Sequence, residues 1–166
     1  MRAIENKADN DSTYAGLGGI YIRRGNLPRA IEFMEKAAQL NPANLENMDN
    51  LATAYLQLGR PDDAQRVLQA ILVQNPRHAG AHNVLGLLEV QRGRAAEARK
   101  HLEQAIEANP ELAEPYMNLG LLAQKAGQPQ VAVRYYREFL QRARPDKYGE
   151  VIPKVREAIK ELEAGR

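Results

Sequence analysis

A chain of 166 residues with 44% hydrophobic and 27% charged side chains has the apolar content of a folded protein, which argues against intrinsic disorder. Its formal net charge of +2 comes from 23 cationic and 21 anionic side chains interleaved along the sequence, so no concentrated basic face for nucleic acid is expected. The absence of cysteine excludes disulfides, thiolate metal sites and a thiol nucleophile, and no apolar run approaches the roughly 18 to 20 residues needed to cross a bilayer. The opening Met1-Arg2-Ala3-Ile4-Glu5-Asn6-Lys7 lacks the apolar centre of a secretory signal, which leaves cytoplasmic and periplasmic locations both open.

Residues 1–10 carry Ala3-Ile4-Glu5-Asn6, a near copy of Ala105-Ile106-Glu107-Ala108 three periods later. They are expected to be the last turns of a helix whose partner lies upstream, as in a piece of a longer array; an N-terminal capping turn is the alternative. From Asp11 onward the chain repeats. Leu17-Gly18, Gly25, Ala30, Met34 and Pro42 return as Leu51-Ala52, Gly59, Ala64, Leu68 and Pro76, then as Leu85-Gly86, Gly93, Ala98, Leu102 and Pro110. A fourth copy reads Leu119-Gly120, Gly127, Ala132 and Tyr136, with a proline near Pro145. A fixed step of this length signals stacked helical hairpins that cannot bury their apolar faces alone.

The repeats are placed at residues 11–44, 45–78, 79–112 and 113–146. In the first, a helix should begin near Ser12 and stop before Gly25, which can take the left-handed conformation that ends a helix. Pro28 then opens the second helix, a part played by Pro61 and Pro129 in later copies and by Ala95 in the third. Apolar residues recur at helical spacing, with Tyr14, Leu17 and Tyr21 facing Ala30, Met34 and Ala37. Gly18, Ala52, Gly86 and Gly120 mark where two helix backbones approach closely. After Pro145 the period fails. Residues 150–162 still read as an amphipathic helix with Val151, Ile152, Val155, Ile159 and Leu162 on one side, a cap for the last repeat's apolar face.

These marks resemble the tetratricopeptide repeat (TPR) pattern, aromatic-x2-Leu-Gly-x2-Tyr followed by Ala-x3-Phe and Pro. Tyr14-x2-Leu17-Gly18-x2-Tyr21 matches its first half, and Tyr116-x2-Leu119-Gly120 matches in the fourth copy, with Ala123 for the second tyrosine. The second and third copies have Met48 and His82 at the aromatic position, and the third has Glu89 in place of tyrosine. The resemblance covers nearly the whole chain. It implies an all-α fold, a right-handed superhelical solenoid of helix-turn-helix repeats whose first helices line a concave groove. It also implies a scaffold for protein partners rather than an enzyme.

The family's lysine–asparagine–arginine clamp for a chaperone's C-terminal carboxylate does not carry over. Its positions fall on Ala15, Gly19, Asn50, Gly80 and Val84, where only Asn50 fits; one repeat later they are Asp49, Thr53, Val84, Glu114 and Asn118, with no cation. Two other groove features remain. Asn50 and Asn118 are equivalent, with Asn83 one position off between them, and an amide can pair with a peptide backbone through donor and acceptor together. Solvated polar residues on a helix face are the plain alternative. Leu87 and Leu121 form an apolar pair that could receive a partner's apolar side chain, and Ile22, Leu56 and Val90 recur alongside, unless they pack on the adjacent repeat. The expected partner-binding set is Arg23, Asp49, Asn50, Thr53, Asn83, Leu87, Met117, Asn118, Leu121 and Lys125.

No catalytic, metal or cofactor site is expected. His78 and His82 are four apart, but the first falls in a turn, the second takes a core position, and His101 belongs to the opposite helix. There is no phosphate loop, nucleophile elbow or paired carboxylate set. The expected function is binding a peptide or helix of a partner protein, without nucleic acid or membrane insertion. Self-assembly through the N-terminal end, and an appendage that regulates or presents substrate to an enzyme encoded upstream, are the alternatives.

Overall fold

The computed structural model describes residues 10–165, so the expectation for residues 1–8 lies outside the described residues. It is all helical, with no strand among the described residues. The described chain divides into two compact units, one ending at Pro76 and the next beginning at Arg77.

The first unit holds α1 (Asp11–Arg23), α2 (Leu27–Leu40), α3 (Leu45–Gln57) and α4 (Pro61–Gln74). α1 pairs with α2 and α3 with α4, and α2 also packs on α3. Their buried stripes meet at helical spacing, through Ala30, Met34 and Ala37 from α2, Leu51 and Tyr55 from α3, and Leu68 and Ile71 from α4. The cap of α1 is Asn10 rather than Ser12: the Asn10 side chain accepts from the Thr13 N–H at 2.8 Å, two residues earlier than expected.

The second unit holds α5 (Ala79–Gln91), α6 (Ala95–Ala108), α7 (Glu114–Lys125), α8 (Pro129–Arg142), the single turn α9 (Pro145–Tyr148) and α10 (Val151–Glu163). α5 pairs with α6 and α7 with α8; α6 packs on α7, and α10 closes on α8. Phe139 of α8, fully buried, meets the Tyr148 ring edge-on at 5.4 Å, while Val155 and Ile159 of α10 complete the same cluster. Short α9 turns the chain between α8 and α10.

Each hairpin turns by the same device. The glycines at 25, 59, 93 and 127 sit at φ of 72, 73, 74 and 67°, and the next residue's N–H returns to a carbonyl five residues back, as in Arg60 N to Tyr55 O at 2.8 Å. The small-residue positions are close approaches. A Cβ at Gly120 would stand 2.5 Å from the Tyr136 ring, and one at Gly86 would stand 2.7 Å from Leu102 Cγ. A larger residue there must push the two helices of the hairpin apart.

Candidate functional site

In the second unit, α7 and α10 border a cavity of about 260 Å³. Met117, Asn118 and Leu121 line it from α7; Val151, Val155 and Ala158 line it from α10; Tyr136 of α8 lines it as well. Met117 and Leu121 are four residues apart and share one face of α7. Leu121 is 36% exposed, one of few large apolar side chains so open to solvent, whereas Val155 is 6% exposed. Lys154 stands at the rim. Burial pushes the Tyr136 phenol above its ordinary value, and its hydroxyl donates to Gln124 Oε1 at 2.7 Å, which holds the ring in place.

Beside this cavity lies a pair of amides. Asn118, 5% exposed, donates through Nδ2 to Asn83 Oδ1 at 3.0 Å. The bond joins α7 to α5 and leaves Asn118 Oδ1 and Asn83 Nδ2 without a protein partner among the described residues. An acceptor oxygen and N–H donors therefore remain, the complement of a peptide group. Leu87, half-buried, follows Asn83 by one turn on the same face of α5.

The remaining expected residues are not gathered there. Lys125 lines a different cavity at the end of α7, together with Val90 and Leu122. Arg23, Asp49, Asn50 and Thr53 belong to the first unit, where Arg23, Asn50 and Thr53 are exposed and Asp49 is half-buried. The Thr53 hydroxyl donates to the Asp49 carbonyl at 2.9 Å, an internal helix bond. Val90 is only 8% exposed and packs with Leu119 and Leu122 of the next hairpin, so at this position the inter-repeat alternative holds.

Sequence reasoning placed α10 as a cover for α8 but gave no warning that its Val151, Val155 and Ala158 form a wall of the cavity. It also missed three polar clusters. Asp11 Oδ2 accepts from the side-chain amides of Asn41, Asn44 and Asn47 at 3.1, 3.1 and 3.0 Å, which ties the start of α1 to the link before α3. Led by the Asn44 bond, these amides outweigh desolvation and hold the Asp11 carboxyl below its ordinary value. Glu89, 5% exposed in the place of a tyrosine, accepts from Arg92 at 3.0 Å and Arg94 at 3.2 Å.

The third cluster joins residues assigned to separate helices. His82 Nδ1 lies 3.1 Å from His101 Nδ1, so one ring donates and the other accepts. Burial first, and then the neighbouring His82, press His101 below the ordinary imidazole value. Among the described residues no group of three or more His, Asp or Glu side chains could hold a metal ion, and no helix is long and apolar enough to cross a membrane.

Comparison with known proteins agrees with the fold. Sequence profiles described as tetratricopeptide repeat match residues 12–44, 50–113 and 113–146. The BBSome complex member BBS4 of Bos taurus is 39% identical over 67 residues, 40% of this chain; the match spans only 13% of that relative's length. The crystal structure of MamA superposes with a TM-score of 0.71 at 26% identity, covering 84% of this chain and 81% of MamA. The first TPR of Spaghetti (RPAP3), solved bound to the HSP90 peptide SRMEEVD, superposes with a TM-score of 0.65 at 22% identity, covering 75% and 99% of the two chains. With helical hairpins at a constant step, a glycine-turned corner in each and profile matches from Ser12 to Asp146, the chain belongs to the tetratricopeptide repeat family, whose fold serves generally as a protein–protein interaction scaffold.

Proposed function

We propose that this chain binds an extended or helical segment of a partner protein on the face of its second unit formed by α5, α7 and α10. The observation that carries this reading is the meeting of Met117, Asn118 and Leu121 with Val151, Val155 and Ala158 around one apolar cavity, beside the Asn83–Asn118 amide pair. An apolar side chain of the partner fills the cavity, and the amide pair receives a peptide group. Burying one apolar side chain of the partner in the cavity contributes about 1.5–3 kcal/mol, and each amide bond about 0.5–1.5 kcal/mol net, so the cavity sets affinity and the amides set register. The peptide held by the structurally similar Spaghetti repeat supports peptide capture as the mode, although the clamp residues of the chaperone-binding members do not recur here.

The test is a selection from a displayed library of random peptides, with the selected peptides then titrated against Leu121→Lys and Asn83→Ala. Leu121→Lys is expected to weaken them by roughly tenfold or more, and Asn83→Ala by about threefold to tenfold. Peptides that bind both variants as tightly as the unaltered chain would refute the reading.

A further inference from the structure

We infer a second binding site, at the turn end of the third and fourth hairpins, for a partner segment in which acidic residues flank an apolar side chain. A cavity of about 320 Å³ opens there, at the lower end of the range for ligand sites and sized for a side chain or two rather than a whole cofactor. Val90 and Leu122, each nearly buried, form its floor; Ala95, Ala96 and Ala126, all small, leave its mouth open. Two cations stand over this apolar floor, Arg99 on α6 and Lys125 at the end of α7.

The charges around this cavity are unbalanced. No acidic residue lines it, and neither Arg99 nor Lys125 has an ion pair or hydrogen bond among the described residues. The nearest buried carboxylate along α5, Glu89, already has both oxygens occupied by Arg92 and Arg94. In the same unit Arg137 pairs with Glu163, Arg142 with Glu138 and Lys147 with Glu114, whereas Lys100, Lys154 and Arg156 have no ion pair among the described residues; Arg99 and Lys125 differ from these in lining one apolar cavity together. The long arms of Arg99 and Lys125 extend the apolar surface while their charged ends remain free. An apolar side chain seated on Val90 and Leu122, with a carboxylate on either side, satisfies both features, whereas a neutral apolar segment leaves the cations idle. The site takes no residue from the α7–α10 cavity, so it stands or falls separately from the function proposed above.

The test uses the whole chain and a displayed library of random dodecapeptides. Selection on the Leu121→Lys variant, which closes the other cavity, is expected to enrich peptides with Asp or Glu flanking Leu, Ile, Met or Phe. Their affinity is expected to drop at least about tenfold in Arg99→Glu/Lys125→Glu, and to fall as salt is raised. Ala96→Phe keeps both charges and fills the mouth; it is expected to cause a comparable loss, which separates a seated side chain from loose charge attraction. Ala96 and Lys125 are exposed and Arg99 is half-buried, and circular dichroism verifies that each variant stays helical. Failure to enrich any peptide, enrichment of peptides without acidic residues, or equal binding by Arg99→Glu/Lys125→Glu would each overturn the inference. Equal binding by Ala96→Phe would do so as well.

Discussion

The two units follow one 34-residue grammar and settle the same positions with different chemistry. Where the first unit has Tyr55, the second has Glu89 and Ala123 at the matching steps. Tyr55 is nearly buried, donates to Glu35 and lies under Arg60, and burial followed by Glu35 pushes its phenol up to about 12. Glu89 fills the same place with a buried carboxylate held by two arginines. Where the first unit ties its hairpins through Asp11 and three asparagines, the second sets alanine at that register, Ala79 and Ala113, and carries an added helix instead. The lesson is that the repeat fixes close contacts and corners while leaving polar and exposed positions free.

The largest expected effect lies in the core. Ile71 and Phe139 occupy matching positions in the two units and both are fully buried. Phe139→Ala is expected to cost about 3–5 kcal/mol and Ile71→Ala about 2–5 kcal/mol, measured by urea unfolding. A loss under about 1 kcal/mol for Phe139→Ala would mean that its cluster with Tyr148, Val155 and Ile159 is not a true core.

Two glycines sharpen the comparison further. Gly120→Leu is expected to cost at least about 1–3 kcal/mol, because even a Cβ there would overlap the Tyr136 ring. Gly16, in α1, has nothing within 4 Å of a built Cβ, so Gly16→Ala is expected to stabilise by about 0.5–1 kcal/mol. Equal effects of the two on the melting temperature would show that helix propensity, not close packing, governs the repeated small residues.

The smallest effects are in pH, and they fall in separate windows. In the second unit His101 is held below its ordinary value of 6.5, so the unfolded chain takes up protons first as pH falls. Stability is therefore complete above that value and declines as pH drops toward the folded-state value. In the first unit Asp11 is held below 3.8, so its contribution is present above that value and vanishes on further acidification. Glu114 in the second unit joins that acid window: burial raises its carboxyl, but Lys147 at 2.7 Å, Tyr148 and a backbone N–H together outweigh this and hold it below its ordinary value. Thermal melts are expected to show a decline from pH 7.5 to about 5.5 that His101→Leu flattens, and an acid decline that Asp11→Asn reduces. A wild-type decline from pH 7.5 to 5.5 that His101→Leu leaves unchanged would remove the histidine pair from the account.

The skeleton was legible in the sequence because sterics leave it little choice. Gly25 and its counterparts sit at positive φ, and Gly86 and Gly120 face a side chain too near for a Cβ, so a glycine returns at each corner and a residue no larger than Ala52 at each close approach. The candidate site was legible only as residues sharing a face within single helices, Met117, Asn118 and Leu121 on α7 and Asn83 and Leu87 on α5. The walls supplied by Tyr136 and by α10 come from packing between helices, which no spacing along the chain encodes. Likewise the pairing of His82 with His101 required the hairpin to close before the two rings could meet. Asn41, Asn44 and Asn47 recur every third residue, a signal that could have been read, but their target Asp11 lies a full repeat earlier.

The central claim is that the partner rests between α7 and α10 and along the Asn83–Asn118 pair. It is tested most directly by titrating the isotope-labelled chain with a peptide selected on it and following amide chemical shifts. The account predicts the largest shifts at Asn83, Leu87, Met117, Leu121 and Val155, all absent in Leu121→Lys. Shifts confined to α6 and α8, or a full response in Leu121→Lys, would contradict it.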